Sequence, residues 1–226
     1  MSDLASETTA VQPWLYWSLL PIHRAVLKAY FRSITITGRE YLPAKGPLVI
    51  ASKHYSRWDP LILSLLSAEP FRYMTDVKQF QGVQGWFIKR LGAFPVDRTR
   101  PSISSFRSAI SLLHHDHQLV IFPEGGIVRD QPLRTFKTGL ARLVLQAETA
   151  SPEKLTVPIV PIALHYSPDS SARAKVFIRV CPMLHSQNHQ HATEKQTAQS
   201  LTNALHHSIL EGLKEIEAQL KQGAVV

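Results

Sequence analysis

Four residues separate His54 from Asp59 in the run His54-Tyr55-Ser56-Arg57-Trp58-Asp59. A histidine oriented by a carboxylate can take a proton from a hydroxyl and turn it into a nucleophile. On one ideal helix, five positions turn the chain by about 500°, leaving the two side chains about 140° apart. A continuous helix would therefore not pair them. The flanking residues offer another arrangement. Leu48-Val49-Ile50-Ala51 reads as a short buried strand, and Asp59-Pro60 reads as a helix start, with Asp as N-cap and Pro in the first turn. A loop between them can fold His54 back towards Asp59, which would fix the imidazole tautomer and stabilise the imidazolium. Backbone amides near that helix start are candidates to hold an oxyanion. The plainer alternative is a polar loop histidine beside an ordinary N-cap.

Two more clusters carry chemistry. Phe122-Pro123-Glu124-Gly125-Gly126 follows a buried apolar run and sets a carboxylate beyond a strand end, where ligands of α/β sheets bind. The glycines admit a ligand close to backbone amides. Gly92-Ala93-Phe94-Pro95-Val96-Asp97-Arg98 ends in an arginine suited to a bidentate grip on phosphate. A solvated turn and a surface Asp97–Arg98 pair are the plainer alternatives. The histidines at 114, 115 and 117, and at 185, 189, 191, 206 and 207, are irregularly spaced and lack cysteine partners, so no metal site is expected. Cys181 is the sole cysteine, which excludes an intramolecular disulfide and points to a reducing compartment. It is expected to be a structural residue at a strand end.

These groups need elements to hold them. Residues 13–32 read as an amphipathic helix that Pro21 should kink or split. It carries Trp14, Trp17, Leu19 and Ile22 beside a basic stripe of Arg24, Lys28 and Arg32. Tryptophans with a basic stripe suit a helix lying in a membrane interface; a helix packed on the core with a solvated basic face is the other reading. Strands are expected near 33–37, 48–51, 71–74, 93–96, 119–122, 157–164 and 175–180. The prolines at 158 and 161 argue for an edge or irregular strand there. Helices are expected from Pro60 to about 68, over 77–90, from Pro101 to about 115, and over 138–147. A last helix places Leu201, Leu205, Ile209, Leu213, Ile216 and Leu220 on one face. Strands alternating with helices imply an α/β fold, a central mixed sheet flanked by helices. We expect two parts: an N-terminal tail and interfacial helical segment over 1–32, and a catalytic domain over 33–226.

Charge narrows the partners. Residues 1–110 hold fourteen Lys/Arg against seven Asp/Glu, and residues 111–226 hold eleven against ten. A basic N-terminal half favours an anionic partner such as a phosphorylated metabolite or an anionic lipid. Nucleic acid is not expected, because no zinc-finger spacing or RNA-binding signature is present. No run reaches the length of a transmembrane helix, and Asp3 and Glu7 without Lys or Arg are the wrong flank for a secretory signal.

The clusters, taken in order, resemble the glycerolipid acyltransferase family that includes the 1-acylglycerol-3-phosphate acyltransferases. The first family motif, N-H-x-x-x-x-D, is matched by Lys53-His54 to Asp59, with Lys in place of the common Asn. The second is matched by Gly92, Val96 and Arg98. The third, F-P-E-G-T-R-S, is matched by Phe122 to Gly125, while Gly126, Ile127 and Val128 replace the usual Thr, Arg and Ser. Arg129 and Arg134 are candidates to substitute. The apolar proline segment Val157 to Pro161 matches the fourth. The resemblance implies direct transfer of an acyl group from a thioester to the sn-2 hydroxyl of lysophosphatidate. It assigns His54 as base, Asp59 as its support, Arg98 to the phosphate, and Glu124 with Gly125 to the glycerol. It implies no metal or prosthetic group. Coenzyme A or acyl-carrier protein would be co-substrate, at the cytoplasmic face of a membrane contacted peripherally. Glycerol 3-phosphate or another lysolipid as acceptor, and a thioesterase in which the pair activates water, are the rival activities. A non-catalytic lipid-binding protein is the third reading.

Overall fold

Seven short apolar runs pair into one sheet in the computed structural model, which describes residues 11–97, 103–151 and 155–223. The strands are β1 (Ser33–Thr37), β2 (Leu48–Ser52), β3 (Arg72–Asp76), β4 (Ala93–Val96), β5 (Gln118–Ile121), β6 (Ile159–Ser167) and β7 (Lys175–Val180), in the order β1-β7-β6-β2-β5-β3-β4. Strands β2 to β6 run parallel, whereas β7 is antiparallel to β6 and parallel to β1. The sheet is therefore mixed, as expected. The helices are α1 (Pro13–Tyr30), α2 (Asp59–Leu63), α3 (Gly82–Arg90), α4 (Ile103–His114), α5 (Gly139–Thr149) and α6 (Glu194–Gly223). Pro101, the expected start of α4, lies outside the described residues.

Helices cover both faces, which is why β2 and β5 read as continuous apolar runs rather than alternating ones. Val49 and Ala51 of β2 face a core built with Leu113 of α4, Leu143 of α5, and Leu205 and Ile209 of α6. Leu48 and Ile50 face the opposite core, with Leu27 and Phe31 at the end of α1 and Ile62 and Leu63 of α2. On α6, Leu201, Leu205, Ile209, Leu213 and Ile216 are buried, as their spacing predicted. Each such side chain contributes about 1.5–3 kcal/mol of burial.

Three expectations change. Pro21 does not split the first helix: α1 runs unbroken from Pro13 to Tyr30. Pro21 is exposed, and Leu15, Leu20 and Leu27 anchor the helix on both sides of it. The α-helix after Asp59 ends at Leu63 and tightens into a 3₁₀ turn over Ser64–Leu66 rather than reaching 68. Ser64 Oγ donates to the Leu61 carbonyl at 2.8 Å, a local bond that competes with helix continuation. Finally, β6 is an interior strand of nine residues, not an edge. Its Pro161 stands where β7 ends, and its carbonyl accepts from Cys181 N at 2.9 Å. The missing N–H therefore falls at the end of the β6–β7 ladder, where few bonds remain to lose.

Candidate active site

The parallel strands β2, β5, β3 and β4 end at one edge of the sheet, the edge at which α/β folds bind ligands. His54 comes two residues after β2 and Glu124 three residues after β5. Because β2 and β5 are neighbours, the two loops meet there.

The histidine is held on every side but one. Its Nδ1 lies 2.7 Å from Asp59 Oδ2. A carboxylate accepts, so Nδ1 carries the hydrogen and Nε2 is left as the basic nitrogen. The ring stacks on Phe122 with centroids 4.0 Å apart and planes 18° from parallel. The backbone N–H donates to Glu124 Oε2 at 2.7 Å, and the carbonyl accepts from Val128 N at 2.8 Å. The side chain keeps 18% of its exposure. An imidazole fixed in this way keeps Nε2 as its proton-accepting nitrogen, which is what general-base chemistry needs.

Asp59 supports it from inside the protein, with no exposed side-chain surface. Oδ2 also accepts from the amides of Tyr55 at 2.7 Å and Ser56 at 2.8 Å. Oδ1 accepts from the Tyr166 hydroxyl at 2.7 Å. The expected fold-back is therefore present, but Asp59 is not the N-cap. Trp58 holds that position, and the carboxylate serves the preceding loop instead of the helix amides. The Tyr55 and Ser56 amides near the helix start are engaged by Asp59, which removes them as oxyanion donors.

Glu124 sits where the sequence put it but turns inward. Its side chain has no exposed surface, and it accepts from the amides of His54 and Arg134 and faces Lys53 Nζ at 3.9 Å. In this structure the protein's own donors take up the carboxylate: one backbone amide on each oxygen, with the Lys53 ammonium beside them. Lys53 is itself buried and donates to the carbonyls of Val128 and Gln131 at 3.4 and 3.3 Å. Burial pushes its ammonium below the ordinary lysine range, opposed by Glu124, Asp59 and Asp130.

The altered third motif has its own work. Val128 is buried and ties the loop to the His54 carbonyl. Arg129 Nε donates to the Tyr55 carbonyl at 3.0 Å, with its guanidinium 5.6 Å from the Tyr55 ring centroid. Arg134 contributes its backbone amide to Glu124. Gly125 is exposed and adopts a φ of 73°, and an added Cβ would meet nothing within 4 Å. Arg98 lies outside the described residues; β4, which precedes it in sequence, ends at the same edge of the sheet as β3. Cys181 is buried directly after β7, and burial raises its thiol. No group of three metal-ligating side chains occurs among the described residues.

Sequence reasoning missed Tyr166 and gave Lys53 no role. The first is 107 residues from Asp59 and gives no local signal. The second was visible only as a departure from Asn.

The chain is similar to known proteins. The 1-acyl-sn-glycerol-3-phosphate acyltransferase of Bacillus subtilis (strain 168) is 30% identical over 197 residues, covering 84% of this chain and 90% of its own. The 1-acyl-sn-glycerol-3-phosphate acyltransferase alpha of Bos taurus is 26% identical over 205 residues, covering 84% and 66%. In fold, the chain is similar to the crystal structure of the 1-acyl-sn-glycerophosphate (LPA) acyltransferase PlsC from Thermotoga maritima, with a TM-score of 0.70 at 16% identity over 96% of this chain and 84% of that one. The sequence pattern of the Acyltransferase family spans residues 33–165, from β1 through the His54 and Glu124 loops into β6. The chain thus belongs to the Acyltransferase family.

Proposed function

We propose that this acyltransferase moves a fatty acyl group from an acyl thioester to the sn-2 hydroxyl of 1-acylglycerol 3-phosphate, giving phosphatidate. The observation that carries the reading is the His54–Asp59 pair, 2.7 Å apart at the ligand-binding edge of the sheet. The names of the relatives supply the acceptor.

His54 Nε2 takes the proton of the acceptor hydroxyl as its oxygen attacks the thioester carbonyl. The tetrahedral intermediate collapses, the carbon–sulfur bond breaks, and the imidazolium returns its proton to the leaving thiolate. Asp59 stabilises the imidazolium between these events. A thioester is already activated, so the chemistry calls for no metal or prosthetic group, and coenzyme A or acyl-carrier protein is a co-substrate. Arg98 is assigned to the phosphate. Its motif spans β4, which lies three strand spacings, about 14 Å, from β2 in the sheet. Glu124 acts by holding His54 rather than by touching substrate.

The site of action is the cytoplasmic face of a membrane, contacted peripherally. Trp14 and Ile22 of α1 are 65% and 59% exposed, beside exposed Arg24 and Lys28. Val83 and Trp86 on α3 are 75% and 43% exposed, and Arg90 stacks over Trp86 at 4.0 Å. Gln12 N donates to Arg90 O, joining the start of α1 to the end of α3. No helix among the described residues is long and apolar enough to cross a bilayer.

Labelled acyl thioester with lysophosphatidate, and separately with glycerol 3-phosphate, tests the reading. Phosphatidate should form with the first acceptor and fall by at least about 10²-fold in His54→Ala. No product from lysophosphatidate, or an undiminished rate in His54→Ala, would overturn it.

A further inference from the structure

Tyr166 lies on β6, held in register opposite Val176 of β7, with 3% of its surface exposed. Its ring packs against Phe31 at 5.9 Å and Tyr55 at 5.5 Å, and its hydroxyl donates to Asp59 Oδ1 at 2.7 Å. The other three donors to Asp59 are His54 Nδ1 and the amides of Tyr55 and Ser56, all to Oδ2 and all from the loop that Asp59 closes. Those three bonds hold the loop to itself. They do not fix it to the sheet, and they leave Oδ1 without a partner. A carboxylate with no exposed surface cannot leave an oxygen unmatched without a large desolvation cost.

We propose that Tyr166 is a positioning residue for the base of acyl transfer: its hydroxyl on Asp59 Oδ1 locks the carboxylate to the central sheet and sets how much negative charge Asp59 presents to His54. The proposal rests on the acyltransferase reading above. Burial, then the Asp59 charge, raises the phenol far above its usual range, so it remains a donor wherever the protein is folded. The titratable and charged groups around the pair include the Tyr55 phenol stacked on Tyr166, Lys53 beside Glu124, Asp130 acting on Lys53, and Arg129 on the Tyr55 carbonyl. Lys53 and Arg129 are bonded to backbone carbonyls, and the ammonium of Lys53 also faces Glu124, so Tyr166 is the group that shares the free face of the carboxylate.

Tyr166→Phe removes one hydroxyl and preserves the ring stack. Asp59 then carries its charge unshared against His54, so the imidazolium is favoured; protonation of Asp59 itself becomes easier as well. Both effects move the acid limb of activity to higher pH. The test uses the full chain with ¹⁵N-labelled histidine. The ring resonance of His54 is assigned by its loss in His54→Gln and followed against pH without substrate. Its midpoint should rise by at least about 0.5 pH unit in Tyr166→Phe, about threefold in proton affinity. The rate with thioester and lysophosphatidate should fall about tenfold, with its acid limb displaced the same way and the lysolipid KM within twofold. If Tyr166→Phe does not fold, 3-fluorotyrosine at position 166 keeps the shape, strengthens the donor and should lower the midpoint. An unmoved midpoint overturns the proposal whatever the rate does, because a tyrosine that only fills space leaves His54 alone. The titration needs no substrate, so failure of the lysophosphatidate assay would sink the function and leave this result standing.

Discussion

Glu124→Gln should destabilise the protein by about 4 kcal/mol at pH 7 and slow it at least tenfold, although this carboxylate never meets solvent. The magnitude follows from its three partners. The glutamine carbonyl can replace one oxygen and keep one of the two amide bonds, to His54 at 2.7 Å or to Arg134 at 3.0 Å. The other amide then faces an NH₂ group, a buried unmade bond costing about 1–3 kcal/mol. Lys53, 3.9 Å away, loses its counter-charge. Breaking a buried pair from one side costs about 3–5 kcal/mol, but Lys53 keeps two carbonyl partners, which favours the lower end. Lys53 can also shed its proton, which at pH 7 caps the charge penalty at about 4–5 kcal/mol. That cap gives the loss a pH signature. A penalty below that cap leaves Lys53 charged at pH 7, but the folded variant releases the proton at a lower pH than the unfolded chain does, so stability rises with pH above neutrality. The gap to the native protein should narrow between pH 7 and 9. Urea denaturation followed by tryptophan fluorescence measures it, and Lys53→Met in the same background should recover at least about 1 kcal/mol. The rate falls because the His54 backbone is freed, and a misplacement of about 1 Å can cost 10²-fold. A variant within about 1 kcal/mol of native at pH 7, with a gap that does not vary with pH, would refute the clamp.

Asp59→Asn should lower the rate by about 10²–10⁴-fold, because an amide cannot accept from all four donors or stabilise an imidazolium; steady-state kinetics with a native-like circular dichroism spectrum check it. Burial lowers the imidazoles of His23, His117, His165, His189 and His206 below their ordinary range. The unfolded chain therefore binds protons that the folded one refuses, and stability should be lost as pH falls through about 6.5; a Tm that stays flat from pH 7.5 to 5.5 would contradict this. Gly38→Ala should cost about 3 kcal/mol or more, since φ is 73° and the new Cβ would stand 2.0 Å from the Val180 carbonyl oxygen; a Tm within a few degrees of native would count against it. Replacing Trp14 and Trp17 by Ala should reduce flotation with anionic liposomes while leaving Tm unchanged, as both are exposed. Unchanged flotation would remove α1 from the membrane contact.

Local pattern made the His54–Asp59 pair and most of the elements legible, and tertiary contacts decided the rest. The buried run at 48–51 and the Asp59-Pro60 start were enough to place His54 on a folded-back loop. They were not enough to say which amides the Asp59 carboxylate would take, because the loop and the helix both offered them. Glu124 showed its position past a strand but not the direction of its side chain, which Lys53 and Arg134 set from elsewhere in the chain. Pro161 looked like an edge signal because propensity is local, whereas the end of β7 that makes it tolerable is twenty residues away. Pro21 does not split α1 for a related reason: a helix interior proline costs about 3 kcal/mol, and burial of Leu15, Leu20 and Leu27 outweighs it. Tyr166 is ordinary in sequence and becomes informative only through its bond to Asp59.

Lys53 ends where the loop of the third motif bends, its ammonium on the carbonyls of Val128 and Gln131. The two departures from the family pattern, lysine for asparagine in the first motif and Gly126-Ile127-Val128 in the third, thus meet at the Val128 carbonyl. They should travel together in chimeras. A graft that brings in one without the other would strand a buried cation or leave carbonyls without a donor, so residues 53 and 126–131 are the smallest exchangeable block at this site.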